Sequence, residues 1–277
     1  MIIGLIDNGS LEPAAHRNLR AVARAMSARA GVTVHAVSWK HSDRIPAAAL
    51  DGTPAWTLAA FVRALHALGQ HEFLFVPFFI SAQGAIGSAL RNDLDELQQQ
   101  FGPGNLEFSF ADGLAPSQAI PAIVADRIRT LIAAKSLSAP PVIVVDHGGP
   151  APASALLRDE LAAKTRTLLR SEIGPLAAAS MEGEAHAHNR PLLADQLGAP
   201  GFDRGDVVIA PLFLSPGRHA GPTGDLAQIA RAAEDRFTSP PLLCHFTELV
   251  GTHPLAIDAL TAALHQALSH LHAPSLA

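Results

Sequence analysis

The 277-residue sequence has a single cysteine, Cys244, and no tyrosine. One thiol cannot build a disulfide framework, a thiolate zinc site or a four-cysteine iron–sulfur cluster. Positive charge is also scarce, because 20 Lys and Arg residues stand against 25 Asp and Glu residues, a net charge of −5. Binding to nucleic-acid phosphates needs clustered Lys and Arg, so this composition argues against a nucleic-acid partner.

Long hydrophobic runs are missing as well. Apolar runs such as 73–76 and 78–80 around Pro77 are too short to cross a bilayer. The first seven residues carry no basic stretch and no cleavage site, and they predict a strand rather than a targeting signal. Because 48% of the residues are hydrophobic, the chain can still bury a sizeable core. We therefore predict a cytoplasmic protein of about two domains, with no membrane partner.

Strand and helix patterns alternate along the chain, and the second half repeats the order of the first. The segments that match at a nearly constant offset are 6–10 with 145–149, 77–81 with 211–215, and 113–116 with 251–254. Continuously apolar strands that alternate with helices indicate parallel sheets covered on both faces. We predict an α/β fold of two tandem similar domains, 1–137 and 138–277, each a parallel sheet flanked by helices. Residues 134–141 form the best linker candidate.

Three polar residues of the second half stand where its predicted strands end. His147 follows the strand 142–146, Glu182 follows the strand 176–181, and His219 lies in the loop after the next strand. Ligands of open parallel sheets bind beyond the carboxyl ends of the strands, so these side chains are candidates for one site. Two histidines and a carboxylate suit a divalent ion of cobalt, iron, nickel or zinc, and they also accept protons near neutral pH.

The matching positions of the first half are Asn8, Lys40 and about Ala85, and none of them can do the same chemistry. A single histidine at a strand end is more often a satisfied polar residue or a cap than a ligand. The joint placement of His147 and His219 beside a carboxylate, and their joint loss in the other half, favours a functional site. We predict one working site per chain, in the second half.

Several further residues allow two interpretations each, one functional and one structural. The run 182–188 contains two Glu and two His, and is either an auxiliary metal site or a solvated polar loop. His253 precedes Pro254, where it either caps a helix or contacts a substrate. Arg190 and Arg218 either hold substrate carboxylates or are ordinary surface residues.

Several catalytic motifs are absent from the sequence. It contains no G-x-S-x-G, no G-x-x-x-x-G-K-[ST], no G-x-G-x-x-G after a strand and no H-E-x-x-H. These absences argue against an α/β-hydrolase, against ATP-driven or dinucleotide chemistry and against a zinc protease. We therefore expect no nucleotide cofactor.

Taken together, the motifs resemble those of the sirohydrochlorin chelatases, over the whole second half and more faintly over the first. They are Asp-His-Gly-Gly-Pro at 146–150, Glu182 after a strand, Pro-Leu-Phe-Leu-Ser-Pro-Gly-Arg-His at 211–219 and Gly-Thr-His-Pro at 251–254. The sequence departs from the family in three respects. Its turn reads Asp-His-Gly-Gly where Gly-His-Gly-Ser is commoner, its first half lacks the site residues, and it has no long His-rich segment or cysteine cluster.

The resemblance implies an ATP-independent lyase that inserts Co²⁺ or Fe²⁺ into a tetrapyrrole in siroheme, cobalamin or porphyrin biosynthesis, with Ni²⁺ or Zn²⁺ as surrogates in vitro. It implies metal-binding and catalytic roles for His147, Glu182 and His219, and a substrate in a cleft between two domains. Arg190, Arg218 and His253 are the candidates for contact with the substrate. One chain then suffices for one active site. The alternative is a non-catalytic tetrapyrrole or metal carrier that kept the chelatase fold.

Overall fold

The computed structural model of the chain describes residues 1–80, 85–102, 104–114 and 118–272, and at 85–88 and 272 the backbone only. The chain divides into two compact units. The first comprises Met1–Ser117 and Pro254–Ala277, and the second comprises Gln118–His253. Of the segments that matched between the two halves, residues 81, 115 and 116 lie outside the described residues.

The first unit is built on a parallel sheet of five strands. The strands are β1 (Ile2–Asp7), β2 (Val34–Ser38), β3 (Trp56–Thr57), β4 (Glu72–Pro77) and β5 (Glu107–Phe110). The helices of this unit are α1 (Pro13–Ala30), α2 (Leu58–His66), α3 (Ala85–Phe101) and α8 (Pro254–His272). The strand order is β3-β2-β1-β4-β5. The interior of β1 and β4 is buried because helices cover the sheet, which explains their continuously apolar sequences.

The second unit is built on a parallel sheet of four strands. The strands are β6 (Val142–Asp146), β7 (Leu176–Ser180), β8 (Gly205–Pro211) and β9 (Leu242–Phe246). The helices are α4 (Ala119–Lys135), α5 (Pro152–Leu169), α6 (Leu193–Gln196) and α7 (Asp225–Arg236). The strand order is β7-β6-β8-β9, which repeats the order β2-β1-β4-β5 of the first unit. The predicted α/β fold of two similar domains is confirmed.

The predicted boundary at 137/138 differs from the division that the structure shows. Helix α4 belongs to the second unit, where the Arg129 guanidinium donates to the carbonyl of Leu168 in α5 at 2.8 Å. Helix α8 belongs to the first unit, where Asp258 pairs with Arg29 of α1 at 3.2 Å. The chain does turn after α4, at Ser136 with φ +54°. The linker signal thus marks the end of a helix, whereas the contacts of that helix decide its unit.

In the part of the chain that the structure describes, no helix combines the length and the apolar character needed to cross a membrane.

Candidate functional site

The ends of β6 and β7 place His147 and Glu182 side by side. The two strands pair in parallel up to Asp146 and Ser180, and backbone hydrogen bonds continue beyond them. The amide of Glu182 donates to the carbonyl of His147 at 3.1 Å. The next residue, Gly148, has φ +83°, and a Cβ there would lie 2.1 Å from the carbonyl oxygen of Glu182. Only glycine fits this turn, so the sequence His-Gly is required by the close approach of the two chains.

His219 is held by the start of α7. The amides of Asp225 and Leu226 donate to the carbonyls of Arg218 and His219, at 3.3 Å and 3.1 Å. A Cβ on Gly224 would lie 2.6 Å and 2.7 Å from those two carbonyl oxygens. The loop after β8 therefore folds back onto the first turn of the helix, and its histidine returns towards the end of β6.

The three predicted side chains meet at this edge of the sheet. Nε2 of His147 lies 3.3 Å from Nε2 of His219 and 3.5 Å from Oε1 of Glu182. Two nitrogen ligands at about 2.1 Å from one ion lie about 3.4 Å apart in tetrahedral geometry, so the histidine pair has the spacing of two ligands. Within the described residues, however, no group of three or more His, Cys, Asp or Glu side chains is placed to hold one ion. Glu182 stands beside the pair rather than completing it.

The second nitrogen of each ring fixes the direction of its lone pair. Nδ1 of His147 lies 2.9 Å from the carbonyl oxygen of Gly148, and Nδ1 of His219 lies 2.6 Å from Oδ2 of Asp225. A carbonyl and a carboxylate only accept hydrogen bonds, so both Nδ1 atoms carry the proton in the neutral rings. The two Nε2 atoms then face each other as two acceptors with no hydrogen between them. This arrangement suits a cation that both atoms bind.

A buried polar network stabilises the turn at residues 147–148. The Arg158 side chain, 2% exposed, donates to Oγ of Ser180 at 2.6 Å, and that hydroxyl donates to Oδ1 of Asp146 at 2.6 Å. Burial raises the pKa of Asp146, although the Ser180 hydroxyl and the Arg158 charge, 4.0 Å away, act in the opposite direction. The network ties the end of β6 to β7 and α5 directly beneath His147.

Asn189 was not predicted as a site residue, yet it joins the two loops of the site. Its side chain is fully buried, and Nδ2 donates to the carbonyls of Gly149 and Gly183 at 3.1 Å and 3.0 Å. Oδ1 accepts from the amide of Gly149 at 3.3 Å. The only signal in the sequence is a polar residue directly after the His-rich run. Asp225 was missed too, because its link to His219 depends on how the intervening loop folds.

The remaining predicted residues have these surroundings. Arg190 is 56% exposed and pairs with Asp195 at 3.1 Å, whereas Arg218 is 80% exposed. Buried His253 contacts Oδ2 of Asp126 in α4 at 3.0 Å, which favours the structural alternative for this residue. These placements leave contact with a substrate as a prediction for all three.

Among the described residues, the run 182–188 contributes no group of three or more His, Cys, Asp or Glu side chains placed to hold one ion. His186 and His188 stack with ring centroids 5.4 Å apart, and Nε2 of His188 contacts the carbonyl oxygen of Gly149 at 2.8 Å. One nitrogen of His188 is therefore engaged with the backbone, and the ring helps to fix the loop.

The first unit repeats the backbone of this site but not its chemistry. Gly9 has φ +84°, and a Cβ there would meet the carbonyl oxygen of Lys40, as Gly148 would meet Glu182. The amide of Lys40 donates to the carbonyl of Asn8 at 3.3 Å. Asn8 and Lys40 therefore occupy the positions of His147 and Glu182, while the side chain of Ala85 lies outside the described ones. The Lys40 ammonium pairs with Asp93 at 3.0 Å.

No family model and no curated protein matches the sequence. Solved structures do match over nearly the whole chain. SirB from Bacillus subtilis with Fe³⁺ is 11% identical with a TM-score of 0.69, and covers 98% of this chain and 96% of its own. Sirohydrochlorin chelatase SirB from Bacillus subtilis subspecies spizizenii in complex with cobalt is 10% identical with a TM-score of 0.70, over 97% of this chain and 95% of its own.

This chain has the fold of the sirohydrochlorin chelatases. CbiX, the terminal enzyme for biosynthesis of siroheme in denitrifying bacteria, agrees with a TM-score of 0.62 at 15% identity, over 96% of this chain and 98% of its own. At identities of 10% to 15% the likeness shows the chelatase-like fold, and the chemistry has to be argued from the residues of this chain.

Proposed function

We propose that this chain inserts a divalent metal ion, Co²⁺ or Fe²⁺, into sirohydrochlorin or a related tetrapyrrole, without a nucleotide. The observation that carries the proposal is the pair of Nε2 atoms of His147 and His219, 3.3 Å apart, the spacing of two ligands of one ion. The chelatase-like fold supports it, since SirB structures of that fold are described with Fe³⁺ and with cobalt.

The solvent exposure of the histidine pair suits an ion that is transferred to a substrate. The side chains of His147, Glu182 and His219 are 46%, 56% and 29% exposed. A structural metal is enclosed by four protein ligands, whereas an ion that leaves for a substrate needs few protein ligands and free coordination positions. Two histidines at the surface of the sheet edge meet this requirement, and the metal is then a substrate.

Insertion also has to remove protons from the ring. A tetrapyrrole loses two pyrrole protons when the metal enters, so bases must stand next to the ion. The Glu182 carboxylate, 3.5 Å from Nε2 of His147, can receive one of them, and the other passes to solvent at this exposed edge. We assign His147 and His219 to metal binding and catalysis, and Glu182 to proton removal and charge balance. Arg190 and Arg218 remain candidates for pairing with the carboxylates of the substrate.

The test is a spectrophotometric insertion assay with sirohydrochlorin and Co²⁺ or Fe²⁺, compared with the uncatalysed rate. His147→Ala and His219→Ala should each lower the rate by at least about 100-fold, since the loss of outer-sphere partners alone costs about 10–100-fold. Stability should change little, within about 0.5 kcal/mol, because both side chains are partly exposed. The matched control is His265→Ala on the exposed face of α8, which should keep the full rate.

Retention of the wild-type rate by either site variant would overturn the proposal. A carrier is distinguished by turnover, because it would never exceed one metallation per chain.

A further inference from the structure

Asp225 is the partner of His219 within the first turn of α7. Its Oδ2 lies 2.6 Å from Nδ1 of His219, within the range of charge-assisted hydrogen bonds. A cationic neighbour, Nε of Arg218, is 3.9 Å away on a side chain that is 80% exposed. Such an exposed pair contributes little and is screened by salt, so the imidazole is the principal partner of this carboxylate.

The tautomer of His219 decides whether the pair can take an ion. A neutral imidazole carries its proton on either nitrogen. With the proton on Nε2, His219 would donate to Nε2 of His147 across the same 3.3 Å, and the two rings would satisfy each other. The position between them would then be closed to a cation. With the proton on Nδ1, both lone pairs stay available.

The two rings differ in what holds this tautomer. His147 donates to the backbone carbonyl of Gly148, a contact within its own turn. His219 depends on the side chain of Asp225, which the loop brings close by folding its carbonyls onto the amides of 225 and 226. A carboxylate that accepts the other proton of a metal-ligating histidine fixes the ring and strengthens it as a ligand.

We infer that Asp225 is a positioning residue, which holds His219 in the Nδ1–H tautomer and so keeps the histidine pair open to a divalent cation. The inference rests on the proposed function for the use made of the bound ion. Binding of the ion and the tautomer of the ring can both be measured without the tetrapyrrole.

The test uses the full chain and Co²⁺ alone. Asp225→Ala should weaken Co²⁺ binding by about 10–100-fold in titration calorimetry. Asp225→Asn should lose less, because its amide oxygen still accepts from Nδ1–H. In the metal-free protein, long-range ¹H–¹⁵N spectra of the imidazole should show Nδ1 of His219 protonated in the wild type, and a shift towards Nε2–H in Asp225→Ala. The matched control is Asp235→Asn, an exposed carboxylate on the same helix, which should change neither readout.

Each result has a consequence. Wild-type affinity and an unchanged Nδ1–H signal in the variants would overturn the role of Asp225, and Asp225→Asn decides the question if the alanine variant does not fold. If Asp225 acts only through its negative charge at the start of α7, its variants lower the stability of the protein and leave the proton of His219 on Nδ1. That result also contradicts the inference. If Asp225 variants shift affinity and tautomer as expected but the wild type inserts no metal, the proposed function fails and the positioning role stands.

Discussion

The two units carry the same aspartate at the end of their first strand, but only one of these carboxylates has a cation next to it. Asp7 corresponds to Asp146, and its Oδ1 accepts from the amide of Gly9 at 3.0 Å. Burial raises the pKa of Asp7 from 3.8 to about 6, against the hydrogen bonds from Ser38 and Gly9 that lower it. In place of Arg158, the first unit offers buried His16, whose pKa burial lowers to about 4, with the charge of Arg20 adding to the effect. That ring is neutral at pH 7.

The charge on Asp7 should therefore lower the stability of the protein at neutral pH. The unfolded chain releases the Asp7 proton near pH 3.8 and the folded chain releases it near pH 6. The protonated carboxyl therefore contributes its full stabilisation to the folded state below pH 3.8, and this stabilisation is lost as the pH rises through 6. A shift of about 2 units corresponds to about 3 kcal/mol. That value is an upper bound, because the side chain of Asp7 retains some exposure. We expect Asp7→Asn to gain up to about 3 kcal/mol at pH 7 and almost nothing at pH 4.

Urea unfolding of the wild type and of Asp7→Asn, between pH 4 and pH 7, measures this difference. Titration of His16 affects both proteins alike, so the difference in unfolding free energy isolates Asp7. The matched comparison is Asp146→Asn, which should gain less than Asp7→Asn, because the buried guanidinium of Arg158 offsets part of the burial that raises the pKa of Asp146. A difference between wild type and Asp7→Asn that does not vary with pH would refute the reasoning.

Two further predictions concern the two copies of the turn. Gly148→Ala should destabilise the protein by about 1–3 kcal/mol and abolish the proposed metal insertion, because the residue has φ +83° and its Cβ would collide with the carbonyl oxygen of Glu182. Gly149→Ala, where a Cβ meets nothing within 4 Å, is its control in thermal unfolding, and equal melting temperatures would contradict the steric argument. Asn8→His should not create a second metal site, since the Lys40 ammonium stands where the other unit has a carboxylate. Calorimetry should still give the wild-type number of Co²⁺ ions per chain, and one additional ion would disprove this.

The sequence alone predicts the strands well, because parallel strands buried on both faces have short, continuously apolar sequences that end at turn residues. The strand Val142–Asp146 lies where the pattern predicts it, and β7 (Leu176–Ser180) begins at the predicted residue and ends one residue earlier. The meeting of His147 with Glu182 follows from the same logic, since adjacent parallel strands end at one edge. These features depend on local patterns and on a general property of sheets.

Contacts that depend on tertiary folding could not be predicted in this way. The apolar face of α4 indicates that the helix packs on something, but its pattern is the same whichever unit receives it. The hydrogen bond between His219 and Asp225 requires the intervening loop to fold back, so that the carbonyls of Arg218 and His219 pack closely against Gly224. The buried Arg158 lies within a helix whose sequence gives no sign that a guanidinium points inward.

The allocation of α4 and α8 has a consequence for the order in which the chain folds during synthesis. Domains commonly fold from the N-terminus as they leave the ribosome. Here the second unit, Gln118–His253, is complete before α8 has been made, whereas the first unit still lacks the helix that pairs Asp258 with Arg29. The unit that begins the chain is thus the last to be finished. The surface that α8 covers in the finished first unit therefore stays uncovered while the whole second unit is translated.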